Sequence, residues 1–255
     1  MPRSFVYLGT DDYEQLGDDY KGVVTILEVG EDGVTLTPAG ELLDVCVGAN
    51  YLRESGGFLY ACDGMAGDIV ALRIEPGSGA LSLVNKQSCL DLHDVPCFLD
   101  FTKDGRWCLT AAYCDGTVAV WPVSPDDGSL GECTDSKKQS ARYNPVLADR
   151  QETAHAHQVL LDSTEKWALV CDLGCDCVYV YAFDSERGSL QGSAIDPRHL
   201  RLPEGSGPRH LEFHPSGKWV FITCELSGAV VTASFDGATG KLRNTSSINA
   251  LVRCS

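Results

Sequence analysis

The chain is short of positive charge. It has 20 Lys and Arg residues against 36 Asp and Glu, which gives a formal net charge of -16. Nucleic acids and anionic membrane surfaces are held by clusters of Lys and Arg, so this balance argues against both as partners. A small anionic substrate would need a local group of cationic side chains, and the chain has few cations with which to build one.

Long apolar segments are also absent from the sequence. No stretch approaches the roughly 20 apolar residues that cross a bilayer, and Met1 to Arg3 lead directly into a strand pattern without an apolar targeting segment. Many of the 12 cysteines lie inside apolar strand runs, where a reduced cysteine behaves as a small buried hydrophobe. The closest group, Cys171, Cys175 and Cys177, is spaced along one strand pair rather than in the paired short loops of a zinc site. We therefore expect a cytoplasmic protein with reduced thiols and no bound metal.

One pattern occurs four times at one spacing. Each copy begins with a large aromatic residue and ends 23 residues later with the leucine of a Gly-x-Leu. The copies are Phe58 to Leu81, Trp107 to Leu130, Trp167 to Leu190 and Trp219 to Leu242. Between the aromatic and the glycine lie two apolar runs separated by a short polar or glycine-containing break, which is typical of two antiparallel strands and the following turn.

The repeating unit is longer than this pair of strands. A further strand precedes each of the last three aromatics, and LSLVNKQ after Gly79 supplies a fourth. The unit is therefore a four-stranded antiparallel sheet, as in a propeller blade. A looser copy starts at Phe5 and carries an acidic insert, Asp11 to Tyr20. We predict an all-β fold, a single β-propeller domain over residues 1–255 with five visible blades. The alternative is a double-sheet sandwich, which does not require a fixed interval.

Three residues stand at equivalent places ten positions before an anchor aromatic, namely Cys97, His157 and Arg209. In a propeller the first strand of each blade lines the central channel, so these residues are expected at one mouth of that channel. Arg209 and Glu225 lie symmetrically about Gly217, which predicts that they face each other across a hairpin. The simpler interpretation is a structural ion pair beside a histidine that bonds a backbone carbonyl.

Three segments resemble successive blades of the seven-bladed β-propeller lactonase family. They are Asp94 to Leu130, His155 to Asp184 and Gly205 to Leu226, and they carry GPRH, DLGxD and EL elements. The family includes propeller-type 6-phosphogluconolactonases and fungal carboxy-muconate lactonising enzymes. The usual His-Pro-His-Ser of the family reads His155-Ala156-His157-Gln158 in this chain, and its Ala-Asn-Tyr reads Ala111-Ala112-Tyr113.

The resemblance implies catalytic roles for three residues, His157, Arg209 and Glu225. Opening a cyclic ester requires a base that activates water, a positive group facing the oxyanion and a proton for the leaving oxygen. Arg209 is expected to hold the oxyanion or a carboxylate, while the choice between His157 and Glu225 as the base stays open. No cofactor is required.

Three more residues lie beside the proposed site, namely His155, His210 and Tyr113. They are expected to bind sugar hydroxyls or a phosphate, or simply to pack. His210 is expected on the opposite strand face from Arg209, because successive side chains of a strand alternate.

Three functions follow from these observations. The first is hydrolysis of 6-phosphogluconolactone in the pentose phosphate route; the second is lactonisation of a muconate-type acid; the third is a non-catalytic scaffold. The sequence shows five of the seven blades of the family and has no counterpart of its further arginine in a later blade. We therefore expect a domain that is incomplete at its C-terminus, weak or absent activity of this chain, and self-association through open blade faces.

Overall fold

The computed structural model describes residues 3–10, 22–92, 94–139, 147, 149–192, 196 and 198–250. Within these residues it contains strands and one short 3-10 turn, Leu90–Leu92. The acidic insert predicted at Asp11 to Tyr20 lies outside the described residues. No described segment forms a helix with the length and apolar character that crossing a bilayer requires.

The strands form five antiparallel sheets in chain order. The first sheet contains β1 (Ser4–Gly9), β2 (Val23–Val29) and β3 (Leu36–Leu43). The second contains β4 (Ala49–Ser55), β5 (Phe58–Asp63), β6 (Asp68–Ile74) and β7 (Leu81–Ser88). The third contains β8 (Pro96–Phe101), β9 (Trp107–Ala112), β10 (Thr117–Pro122) and β11 (Asp135–Lys138).

The fourth sheet contains β12 (Ala156–Leu161), β13 (Trp167–Asp172), β14 (Cys177–Asp184), β15 (Ser189–Gln191) and β16 (Leu200–Arg201). The fifth contains β17 (Pro208–Phe213), β18 (Trp219–Cys224), β19 (Ala229–Asp236) and β20 (Lys241–Asn249). Three of the five sheets have the predicted four strands. The first has three in the described part of the chain, and the fourth has five because β15 and β16 pair with different parts of β14.

The first strands of consecutive sheets contact one another. The contacts run from β1 to β4, from β4 to β8, from β8 to β12 and from β12 to β17. A series of sheets that meet through their inner strands is the arrangement of propeller blades around an axis. The predicted β-propeller class is confirmed, and the sandwich alternative is wrong.

The recurrence of the aromatic and of the glycine in each copy has a structural cause. The aromatic of one sheet packs on the glycine of the next sheet in the pairs Phe5 and Gly79, Phe58 and Gly128, Trp107 and Gly188, and Trp167 and Gly240. All four glycines have φ between 61° and 75°, and a Cβ at any of them would overlap the aromatic ring. Glycine is needed on both grounds, because it alone lacks the Cβ and adopts this conformation without strain. We call each of these pairs an aromatic latch.

Two of the latches are also hydrogen-bonded. The indole Nε1 of Trp107 donates to the carbonyl of Ser185 at 2.8 Å, and that of Trp167 donates to the carbonyl of Gly237 at 2.8 Å. A half-buried indole N–H that bonds across the interface adds direction to an otherwise apolar contact. The latches thus hold each sheet in register with the next.

Each first strand of the second to fifth sheets begins with a β-bulge. The register shift falls at Asn50, Cys97, His157 and Arg209, one residue into each strand. A bulge leaves its extra residue unpaired and turns that side chain away from the regular alternation. The same irregularity therefore directs one side chain per sheet out of the ladder.

Candidate active site

The predicted pairing of Arg209 with Glu225 is wrong in register, although the two side chains meet. Pro208 pairs with Cys224 and His210 with Thr223, so Arg209 is the bulged residue and Glu225 lies one position beyond β18. The backbone N–H of Glu225 donates to the carbonyl of Gly207 at 2.8 Å, which fixes its position. From there its carboxylate accepts a hydrogen bond from the Arg209 guanidinium.

Glu225 binds a second arginine that the sequence argument missed. Arg150 Nη2 contacts Glu225 Oε1, while Arg209 Nη1 contacts Oε2, so the carboxylate lies between two guanidinium groups. Partial burial would raise the pKa of Glu225, but the hydrogen bonds from Arg150 and Arg209 outweigh that effect and lower it. Glu225 is therefore an ionised carboxylate that bridges two cations.

The bulge also overturns the expectation for His210. Its ring lies 5.2 Å from the ring of His157 and 5.6 Å from that of Phe98, measured between centroids. Burial, followed by the nearby charge of Arg209, lowers the pKa of His210. His210 and Arg209 thus face the same region, because the bulge interrupts the alternation on which the opposite-face prediction rested.

His157 lies at the centre of this group of rings. Its centroid is 5.7 Å from that of Tyr113, with the ring planes nearly perpendicular. Burial first, then the positive charge of Arg209, lowers the pKa of His157 to about 4, so the imidazole is neutral at neutral pH. Its Nδ1 is buried and has no hydrogen-bond partner in the described part of the chain.

Tyr113 and His155 form a layer beside His157. The two rings are stacked with centroids 4.3 Å apart, and His155 Nδ1 donates to the carbonyl of Tyr113 at 2.7 Å. His155 Nε2 lies 3.2 Å from Glu152 Oε1, and the histidine is only 2% exposed. His155 is thus enclosed by protein and supports Tyr113 from behind.

Tyr113 in turn lies between this layer and Arg150. After the hydrogen bond to Glu225, the nearness of the Tyr113 side chain helps to raise the pKa of the Arg150 guanidinium. The ring of Tyr113 contacts both His155 and His157, and its side chain lies beside the arginine that holds Glu225.

Cys97 shares the bulge position but differs in its surroundings. Its Sγ lies 3.5 Å from the carbonyl oxygens of Ala111, Ala156 and His157. Burial raises the pKa of this thiol, so it stays protonated. Cys97 fills the space between the third and fourth sheets and supports the backbone of His157.

The sequence repeat does not identify Arg150, because this residue occupies no repeated position. It lies in the loop before β12, where its N–H donates to the carbonyl of Leu147 at 3.0 Å. Loops between blades vary in length, so their residues cannot be aligned from sheet to sheet. The sequence offers one indication of its role: the chain is acidic and has few Lys and Arg residues, so each of them is a candidate for an anion-binding site.

The structure contains eleven cysteines in its described residues, and each of these is free. Cys171, Cys175 and Cys177 are buried among apolar neighbours, and burial raises their pKa values. Among the described residues, no three His, Cys, Asp or Glu side chains are grouped in a way that would hold a metal ion.

Residues 6–253 match the family model described as Lactonase, 7-bladed beta-propeller. A Bacillus subtilis protein named 6-phosphogluconolactonase is 31% identical over 189 residues, which cover 74% of this chain and 50% of that protein. A Formosa agariphila protein of the same name is 25% identical over 217 residues, covering 82% of this chain and 58% of its own. The chain thus spans about half the length of these curated relatives.

Among solved structures, the Pseudomonas aeruginosa periplasmic gluconolactonase is similar in fold. It superimposes with a TM-score of 0.80 at 25% identity and covers 99% of this chain and 70% of that one. The similarity extends over nearly all of this chain, so the arrangement of its five sheets is one that occurs in a longer protein of known structure.

Proposed function

We propose, from the premise that this chain belongs to the lactonase family of seven-bladed β-propellers, that it hydrolyses 6-phosphogluconolactone to 6-phosphogluconate. The observation that carries the proposal is the convergence of three side chains, His157 and Arg209 near the starts of the inner strands β12 and β17, and Glu225 just beyond β18. The name shared by the Bacillus subtilis and Formosa agariphila relatives supports this substrate.

His157 is the proposed general base. A neutral imidazole accepts a proton, and a pKa of about 4 keeps His157 in that form throughout the neutral range. Water attacks the carbonyl carbon of the lactone while its proton passes to His157. When the bond to the ring oxygen breaks, the imidazolium returns the proton to that oxygen, which leaves the ring-opened acid.

Arg209 is the proposed oxyanion stabiliser. Negative charge develops on the carbonyl oxygen as water attacks, and the guanidinium of Arg209, whose side chain is 46% exposed, can donate to it. Glu225 orients this guanidinium through its second oxygen. Because Glu225 is bound by two cations, its basicity is reduced, which favours His157 as the base.

The decisive experiment is a turnover assay with 6-phosphogluconolactone, corrected for spontaneous hydrolysis. We expect Arg209→Ala to lower kcat about 100- to 1,000-fold, the usual loss of one oxyanion donor. His157→Gln should lower kcat about 100- to 10,000-fold, the usual contribution of a positioned base. Unchanged turnover in pure Arg209→Ala protein would remove Arg209 from the mechanism.

The pH profile separates the two candidates for the base. With His157 as base, kcat/KM should be flat from pH 8 down to about pH 5 and should fall only as His157 is protonated near pH 4. Glu225→Gln should then lower the rate and move this limb slightly to lower pH, because the carboxylate charge that helps to raise the pKa of His157 is gone. A limb that disappears in Glu225→Gln would assign the base to Glu225 instead.

We also propose a cytoplasmic location. The eleven free cysteines of the described residues favour a reducing compartment such as the cytoplasm. The Pseudomonas aeruginosa neighbour is named as periplasmic, so the fold itself does not determine the location. Fractionation of producing cells, with thiol labelling of the isolated protein, tests this directly.

A further inference from the structure

Arg150 makes contacts that a purely structural arginine would not need. It reaches across the site to Glu225 Oε1 and lies beside the side chain of Tyr113, yet its own side chain remains 44% exposed. It therefore combines a fixed position with access to solvent.

The two guanidinium groups around Glu225 carry more donors than their partners can accept. Each arginine presents five N–H donors in a planar fork, whereas Glu225 takes one contact from Arg150 and one from Arg209. Both arginine side chains are nearly half exposed, so a ligand in solution can reach them. Such a fork suits a phosphate or a carboxylate, which it binds through two parallel hydrogen bonds.

The two arginines bind different oxygens of Glu225 and therefore lie beside different neighbours. Arg209 lies on one oxygen beside His157 and His210, whereas Arg150 lies on the other oxygen beside Tyr113. In 6-phosphogluconolactone the phosphate is several bonds from the reacting carbonyl, so one guanidinium cannot bind the phosphate and the carbonyl oxygen together. Two guanidinium groups, one on each oxygen of Glu225, can bind one of these groups each.

We propose that Arg150 is the specificity residue for the phosphate monoester of the substrate, and that Glu225 occupies this guanidinium until the phosphate replaces it. The inference rests on the proposed lactone hydrolysis and adds to it the side chain that distinguishes a phosphorylated from an unphosphorylated sugar lactone.

The test compares two substrates in one variant. Arg150→Met keeps an unbranched apolar stem but removes the guanidinium. The ratio of kcat/KM for 6-phosphogluconolactone to that for glucono-δ-lactone should fall about 10- to 100-fold, as expected for loss of a charge-assisted hydrogen bond. The fall should lie mainly in KM for the phosphorylated substrate. An equal loss on both substrates would overturn the proposal, because it would show that Arg150 only positions Glu225.

Arg187→Met is the matched control. Arg187 is 78% exposed and paired with Asp184 at 3.0 Å, in a turn of the fourth sheet. Removing it changes the net charge of the chain by the same amount, so an equal change of the substrate ratio in Arg187→Met would point to a general charge effect and contradict the assignment.

A binding measurement keeps the inference separate from catalysis. Titration calorimetry with 6-phosphogluconate, gluconate and inorganic phosphate should show tighter binding of the phosphorylated acid by the parent than by Arg150→Met. Glu225→Gln should bind inorganic phosphate several-fold more tightly, because the competing carboxylate is gone. If the parent hydrolyses no lactone but shows these differences, the proposed function fails and the phosphate site stands. If phosphate binding is the same in all three proteins, the site itself is refuted.

Discussion

The fourth and fifth sheets have similar sequences but different surroundings. In β13, five of six residues are fully buried, whereas β18 alternates between exposed and buried residues along its length. The exposed positions of β18 include Trp219 and Phe221, at 41% and 40%. The fourth sheet packs on both neighbours, and the fifth packs on the fourth through one face.

This difference shows that the repeated pattern encodes both faces of a blade. Trp219 occupies the place that Trp107 and Trp167 occupy in their latches, and the alternating run after it is as apolar as in the other sheets. A strand with apolar residues on both faces is suited to a sheet between two others. Large exposed apolar patches favour association, so self-association through this face remains our proposal, testable by sedimentation at several concentrations.

The largest effect that separates the two sheets should come from the latch tryptophans. Trp167→Ala removes a half-buried indole, its hydrogen bond to Gly237 and its packing on Gly240, and should lower the free energy of unfolding by about 3 to 5 kcal/mol. Trp219→Ala should lower it by less than about 1 kcal/mol, because that ring is 41% exposed. Urea denaturation monitored by circular dichroism measures both.

An equal loss of unfolding free energy in Trp167→Ala and Trp219→Ala would contradict this comparison of the two sheets. It would mean that Trp219 is covered in solution, and the midpoint of unfolding would then depend on protein concentration. A concentration-independent midpoint together with a large cost for Trp219→Ala would show that exposure is a poor guide to the energy of this position.

A smaller effect on the free energy of unfolding should distinguish turns whose glycine contacts an aromatic ring from turns whose glycine contacts nothing. Gly188→Ala places a methyl group against the ring of Trp107 at a residue with φ of 61°, and should cost about 2 to 4 kcal/mol. Gly33→Ala has a similar φ of 70° but meets nothing within 4 Å, so it should cost about 1 kcal/mol. The difference isolates the latch contact from backbone strain. Equal costs would show that strain alone requires glycine at these turns.

The repeat made most of the fold predictable from the sequence. The strands expected before Trp107, Trp167 and Trp219 are observed at Pro96–Phe101, Ala156–Leu161 and Pro208–Phe213. The aromatic and the glycine recur in each copy because one physical contact, the latch, recurs between successive sheets. Elements that recur can be aligned with one another even when no other sequence is compared.

The site was less predictable because its geometry depends on what does not recur. The bulges bring His210 and Arg209 to the same region, and nothing in the alternation of residues indicates a bulge. Arg150 comes from a loop outside the repeat, and its contact with Glu225 spans 75 positions in the sequence. The roles of His157, Arg209 and Glu225 came from the family resemblance and stay predictions until the kinetic tests are made.

A pH-dependent effect is expected from a buried carboxylate of the fourth sheet. Asp172, five residues after Trp167, is completely buried, and burial raises its pKa to about 6. The folded chain therefore holds a proton that the unfolded chain has released between about pH 4 and pH 6. Stability should fall as pH rises through this window, by up to about 1.4 kcal/mol per pH unit, and Asp172→Asn should remove that slope. Urea denaturation at pH 4, 5, 6 and 7 measures it.

The same position in the second sheet supplies the matched control. Asp63 follows Phe58 at the same interval, but its two oxygens accept hydrogen bonds from the backbone N–H groups of Val47, Gly48, Met65 and Ala66. In Asp172, Oδ1 accepts two such bonds while buried Oδ2 has no partner in the described residues. Asp63→Asn should therefore destabilise the fold by about 1 to 3 kcal/mol at neutral pH, since one acceptor is replaced by a donor facing another donor. Asp172→Asn should be neutral or stabilising there. If both substitutions cost the same at pH 7, the unpaired oxygen of Asp172 has a partner in solution, and the two positions are equivalent after all.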